Sequence, residues 1–94
     1  MKFVLNECFG GFSLPEEFCE VYDCDSYDDI DRTDKRLIDF LETYFSATGK
    51  DFYEGDYSHL IIEEIPDTAT DWHINDYDGA ESLIYVVDGK LHWA

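Results

Sequence analysis

The hydrophobic pattern of this chain changes period along its 94 residues. Lys2-Phe3-Val4-Leu5-Asn6 is a short apolar run that predicts an opening strand, and Gly10-Gly11 then breaks the backbone where φ can turn positive or another group can approach closely. Ser13-Leu14-Pro15-Glu16 reads as a helix start. Ser13 caps, Glu16 reaches back to complete a capping box, and Pro15 occupies the first turn, where its missing N–H is no loss. This helix is expected to reach Val21 or Tyr22, with Leu14, Phe18 and Val21 or Tyr22 on its buried side. A second helix, capped by Asp31 or Thr33, carries Leu37, Ile38, Leu41, Tyr44 and Phe45 as one apolar stripe and stops at Gly49. The stretch between the helices, residues 23–34, is so rich in Asp that it reads as an exposed linker.

Beyond a polar but aromatic segment, residues 50–58, the period becomes two. Residues 60–65 read as a strand stopped by Pro66, residues 72–76 as another, and Asp78-Gly79 as a tight turn. Residues 81–87 alternate, with Leu83, Tyr85 and Val87 on one side, and Asp88-Gly89 makes a second two-residue turn into residues 90–93. The expectation is a single α+β domain over residues 1–94: an N-terminal strand, two amphipathic helices, then an antiparallel strand-rich meander.

Charge alters how that domain must be understood. Twenty-three Asp and Glu face six Lys and Arg, for a formal charge of −17, yet the chain is 45% hydrophobic and 17% aromatic. Acidic disordered tails lack such core-forming residues, so this one folds. Its field repels nucleic acid and anionic membrane and attracts basic surfaces. No apolar run is long enough to cross a bilayer, and the opening residues do not read as a secretory leader. Cys8, Cys19 and Cys24 are odd in number and lack zinc-site spacing, which suits core thiols in a reducing cytoplasm.

Two segments carry a resemblance. Asn6-Glu7-Cys8-Phe9-Gly10-Gly11-Phe12-Ser13-Leu14, followed later by Glu64-Ile65-Pro66-Asp67, Trp72 and Tyr77-Asp78-Gly79-Ala80-Glu81, is similar to a family of small uncharacterised bacteriophage and prophage proteins. That family opens with a strand and a Cys-Tyr-Gly-Gly-Phe-Ser-Leu-Ser type motif. This chain departs from it at Phe9, where Tyr is usual, and in its tail, which lacks a basic His-Arg-Thr-Trp type ending. The resemblance implies phage origin, hence the cytoplasm of an infected or lysogenic bacterial host, and a shared fold. It implies no chemistry.

Three candidate sites follow from the residues. An acidic docking face would comprise Asp23, Asp25, Tyr27, Asp28, Asp29, Asp31, Asp34, Asp39, Glu42, Asp51, Tyr53, Glu54 and Asp56. Tyr22, Phe52 and Tyr57 join Tyr27 and Tyr53 as aromatic anchors, because charge sets encounter rate while desolvated rings supply binding hot spots. Spread over an expected area of roughly 5,600 Å², the net charge is about threefold sparser than that of duplex DNA, so a nucleic-acid mimic needs its acids clustered. The alternative ligand site would use Phe9, Gly10, Gly11, Phe12, Trp72, Tyr77, Asp78 and Glu81, with backbone N–H groups of the Gly pair aimed at a nucleotide-like anion.

A calcium loop over Asp23, Asp25, Asp31 and Asp34 lacks the sharp-turn Gly and the final Glu, so no metal or cofactor is expected. Catalysis by Cys8 with His59, His73 or His92 has no supporting spacing. The expectation is a non-enzymatic inhibitor, of the anti-CRISPR or anti-defence kind, that presents a nucleic-acid-like surface to a basic groove of a host protein. It would bind no nucleic acid or membrane directly. A nucleotide-binding sponge and a structural or assembly role are the alternatives.

Overall fold

Phe3, Val4 and Leu5 are consecutive and all buried, which requires both faces of their strand to be covered, since neighbouring side chains in a strand point opposite ways. The computed structural model describes residues 1–55 and 58–94 and supplies that double cover. The elements are β1 (Lys2–Asn6), α1 (Glu16–Tyr22), α2 (Lys35–Thr48), β2 (Tyr53–Glu54), β3 (His59–Glu64), β4 (Asp71–Tyr77), β5 (Ala80–Val87) and β6 (Lys90–Trp93). They form two antiparallel three-stranded sheets, ordered β1-β3-β2 and β4-β5-β6.

The fold is α+β, with helices, first sheet and second sheet stacked in that order. Val4 and Leu60 face the helices and pack with Leu14, Phe18, Leu37, Ile38 and Leu41. Phe3 and Leu5 point the other way, onto Ile65 and Leu83 at the second sheet. The apolar core therefore lies in two compartments on either side of β1 and β3.

Several local readings need correction. Pro15, not Ser13, is the N-cap of α1, with ψ near 139° and no side-chain cap hydrogen bond, so Glu16 is the first helical residue and cannot close a capping box. Glu16 and Glu17 instead place carboxylates in the first turn, where the helix dipole favours them. Only Phe18 of this two-turn helix is buried; Val21 is 71% exposed, and Tyr22 lies over Phe18 with ring centroids 4.7 Å apart. The last turn overhangs the core.

Asp34 caps α2 by accepting a hydrogen bond from the Arg36 backbone N–H at 2.8 Å, whereas Asp31 closes a turn onto Thr33 one step earlier. The remaining readings of α2 hold: Leu37, Ile38 and Leu41 are buried and Gly49, at φ 73°, ends it. In the meander both Asp-Gly pairs adopt positive φ at both residues, as a two-residue primed hairpin turn demands. The three cysteines are half-buried and form no disulfide, and Cys19 and Cys24 pack at the margin of the core.

Candidate docking surface on the helical layer

Residues 23–34 are an ordered strap. Backbone N–H groups in this stretch find partners in its own carboxylates: Asp25 accepts from Tyr27 N–H at 2.9 Å, Asp28 from Asp25 N–H at 2.8 Å and Asp31 from Thr33 N–H at 2.8 Å. These are Asx-type turns, which Asp favours because its short side chain reaches the backbone two or three residues away. The strap is tied to the domain at two points. Leu14 N–H donates to Ser26 O and Val4 N–H to Arg32 O, each at 2.8 Å. The second bond covers the outer edge of β1, and Ile30 packs against the core beneath it. The expected linker is thus corrected to a fixed segment, because its acids satisfy the backbone that would otherwise need water.

Between the strap, α1 and β2 opens a cleft of about 500 Å³. Among the described residues its carboxyls are Glu16, Asp25 and Glu54, Tyr27 and Tyr53 add rings, and no Lys, Arg or His lines it. Tyr53 donates from its hydroxyl to Glu17 at 2.7 Å, and burial, followed by that carboxylate, pushes its own ionisation up, so the hydroxyl stays a donor. Cys19 and Cys24 hydrogen-bond to each other at the cleft wall. Burial first, then Cys24, Asp25 and Asp28, push the Cys19 thiol up to about 12, which leaves it protonated at neutral pH.

A second groove of about 490 Å³ lies along the other side of α1, against α2. Val21, Tyr22, Phe40 and Tyr44 make its apolar floor, with Glu17, Asp39 and Arg36 at the rim. Arg36 is already committed: its guanidinium pairs with Asp34 at 2.9 Å and lies 5.1 Å from the Tyr22 ring centre. The helical layer therefore offers two depressions with aromatic walls and acidic rims.

Other members of the expected docking face have varied surroundings. Tyr27 is 73% exposed and Asp23, Asp28, Asp29, Asp39 and Asp51 are also exposed, while Glu42 pairs with Lys2 at 3.1 Å. Asp23 forms the left-handed C-cap of α1. Phe52 is stacked on His59, 4.5 Å away. Asp56 and Tyr57 lie outside the described residues. Fourteen of the 23 acidic positions fall within residues 16–56, against four of the six Lys and Arg. Over the whole surface of 6060 Å², the net charge averages about one per 360 Å², against roughly one per 110 Å² for duplex DNA.

The alternative ligand residues other than Trp72 are brought together where the 78–79 turn meets the 9–11 segment, with Phe9 and Tyr77 left exposed at its edge. The 78–79 turn sits against the 9–11 segment so closely that a Cβ on Gly79 would lie 2.5 Å from Gly11 N and 3.1 Å from Phe9 O. Asn6, fully buried, donates to Cys8 O and Gly79 O and accepts from His59 N–H at 2.8 Å. Glu81 accepts from Asn6 N–H at 2.9 Å and from Arg32, whose guanidinium lies 3.5 Å from the Phe12 ring centre. Phe9 and Tyr77 meet edge to face at 6.5 Å. Trp72 stands at the opposite end of β4, against Phe3. Among the described residues no group of three His, Cys, Asp or Glu is placed to hold a metal ion.

The sequence reading missed the cleft because its walls come from residues 13–27 together with 53–55 and 58, which only folding unites. It also missed the role of Asn6 and Glu81 as hydrogen-bonding hubs; the one available signal was a polar Asn ending an otherwise apolar strand. No helix of the described residues is long and apolar enough to cross a membrane. Comparison with family models, curated proteins and solved structures finds no match.

Proposed function

We propose that this protein is a non-enzymatic binding protein that docks its acidic helical layer on a basic surface of another macromolecule, of the kind that otherwise grips nucleic acid. The observation that carries this reading is the cleft beside α1, where, among the described residues, every charged lining side chain is a carboxylate and Tyr27 and Tyr53 share the walls. Such a site receives a guanidinium or ammonium group. Carboxylates accept its N–H donors, and tyrosine rings favour a cation at their face. A nucleotide, itself anionic, meets like charge there and is repelled. The resemblance to small phage proteins, with the charge of −17, makes a groove in a bacterial defence or regulatory complex the partner class we favour.

Substituting Asn for Asp25, Asp28, Asp29 and Asp31 tests the reading, because Asn keeps an acceptor oxygen for the strap's turns while removing charge. Immobilised protein is expected to capture basic nucleic-acid-binding proteins from bacterial extract, and duplex DNA should release them. The fourfold variant should associate at least about tenfold more slowly at low salt, with the difference shrinking as salt rises. Capture that is indifferent both to the variant and to competing DNA would reject the proposal. A melting-temperature rise with mono-, di- or cyclic nucleotides would favour a sponge instead.

A further inference from the structure

The register of the second sheet exposes a feature that alternation alone does not reveal. Leu83 and Tyr85 of β5 point to the first sheet, so Ile84 and Val86 point away from it. Ile84 is registered with Trp93 and Val86 with Leu91 on β6, and on the other side with His73 and Asp71 of β4. The four apolar side chains consequently form one contiguous patch on the outer face of the molecule. Leu91 is 72% exposed and Trp93 65% exposed.

We infer that this face is where two copies of the chain pair, outer sheet against outer sheet. Charge argues for a second copy meeting here and not on the helical layer. The outward positions of the three strands include a single carboxylate, Asp71, set beside His73, whereas Asn75, Ser82 and the apolar four are neutral. Two chains of −17 repel each other through their helical layers. Joined by this face, those layers lie on opposite outsides, separated by two sheets from each copy. At about 10 Å per layer that is roughly 50 Å, several times the Debye length of about 8 Å at physiological salt.

Area sets the expected strength. Three strands spaced about 4.8 Å apart and averaging about 20 Å long present roughly 300 Å² of projected face per copy, so pairing removes on the order of 600–1,000 Å² in total, at or below the low end for specific interfaces. A weak, reversible dimer, with a dissociation constant on the order of tens of micromolar or more, fits that size. The same face of each copy would meet about a two-fold axis, with Trp93 and Leu91 as anchors. This inference is independent of the docking proposal, since it uses the opposite side of the domain and leaves the acidic cleft open.

Sedimentation equilibrium of the full chain, over about 10 μM to 1 mM at physiological salt, tests it in the range an interface of this size calls for. Mass is expected to rise from 11.0 kDa towards twice that value, and to rise at lower protein concentration when salt is added. The Leu91→Ser/Trp93→Ser double variant, monitored for folding by circular dichroism, should weaken association at least about 30-fold. Should that variant misfold, Ile84→Thr keeps a β-branched residue and should weaken it about tenfold. A mass of one chain at every concentration overturns the inference, as does a folded double variant that still pairs. Binding of the monomer to neutral phosphatidylcholine vesicles through this patch would assign it to lipid and likewise overturn the pairing.

Discussion

Asp34 begins α2, ends the strap and pairs with Arg36 through one carboxylate. The hydrogen bond from the Arg36 side chain is the foremost reason its carboxyl is held below the usual carboxylate range, and Thr33 acts on Asp31 in the same direction. A carboxyl whose value is depressed by folding contributes stability that is complete above its unfolded value, near 4, and is lost as pH falls through the folded value. Asp34→Ala should therefore cost about 1 kcal/mol at neutral pH, as lost caps do. Asp34→Asn should cost less, and its deficit should close as pH is lowered past 4. Urea unfolding at three pH values measures both, and an Asn deficit that does not shrink at all as pH falls from neutral to about 2 would contradict this account. The choice of cap shows where sequence reading stops: Asp31, Thr33 and Asp34 all have capping side chains, and only the packing of Leu37 and Ile38 decides which one stands at the first turn.

At the scale of elements, the meander was the most legible part. Two Asp-Gly pairs set hairpins whose positive φ at both turn residues suits few other sequences, and alternation then fixed which side chains share a face. The two turns differ in surroundings, however. Gly89 has open space where a Cβ would go, whereas Gly79 abuts the backbone of Gly11 and Phe9. Gly89→Ala should cost about 1 kcal/mol, the conformational penalty alone, and Gly79→Ala at least twice that because backbone cannot move aside as a flexible side chain does. Equal losses in thermal unfolding would mean the turn-to-turn contact is unimportant. The strap and β2 were not legible, for opposite reasons: the strap is organised by side-chain to backbone bonds with no periodic signature, and β2 is two residues long, too short to show a period.

At the scale of the whole molecule, a mostly buried ion pair ties the strap to the second sheet. Glu81 of the second sheet, its side chain 5% exposed, meets Arg32 of the strap while accepting from Asn6 of the first sheet. Removing one partner of such a pair leaves a charge without compensation in a place water barely reaches. Glu81→Ala should cost about 3 kcal/mol or more, and Arg32→Met should lessen that loss when combined with it. Additive losses in a double-mutant cycle would refute the coupling. Finally, the segment that bears the densest negative charge is also the cover on the open margin of β1. Deleting it would not produce a neutral version of this domain but a sticky one, with an unpaired strand inviting aggregation. Its electric character can be tuned one carboxylate at a time, yet it cannot be excised, so any lineage that sheds the acidity must keep the ribbon.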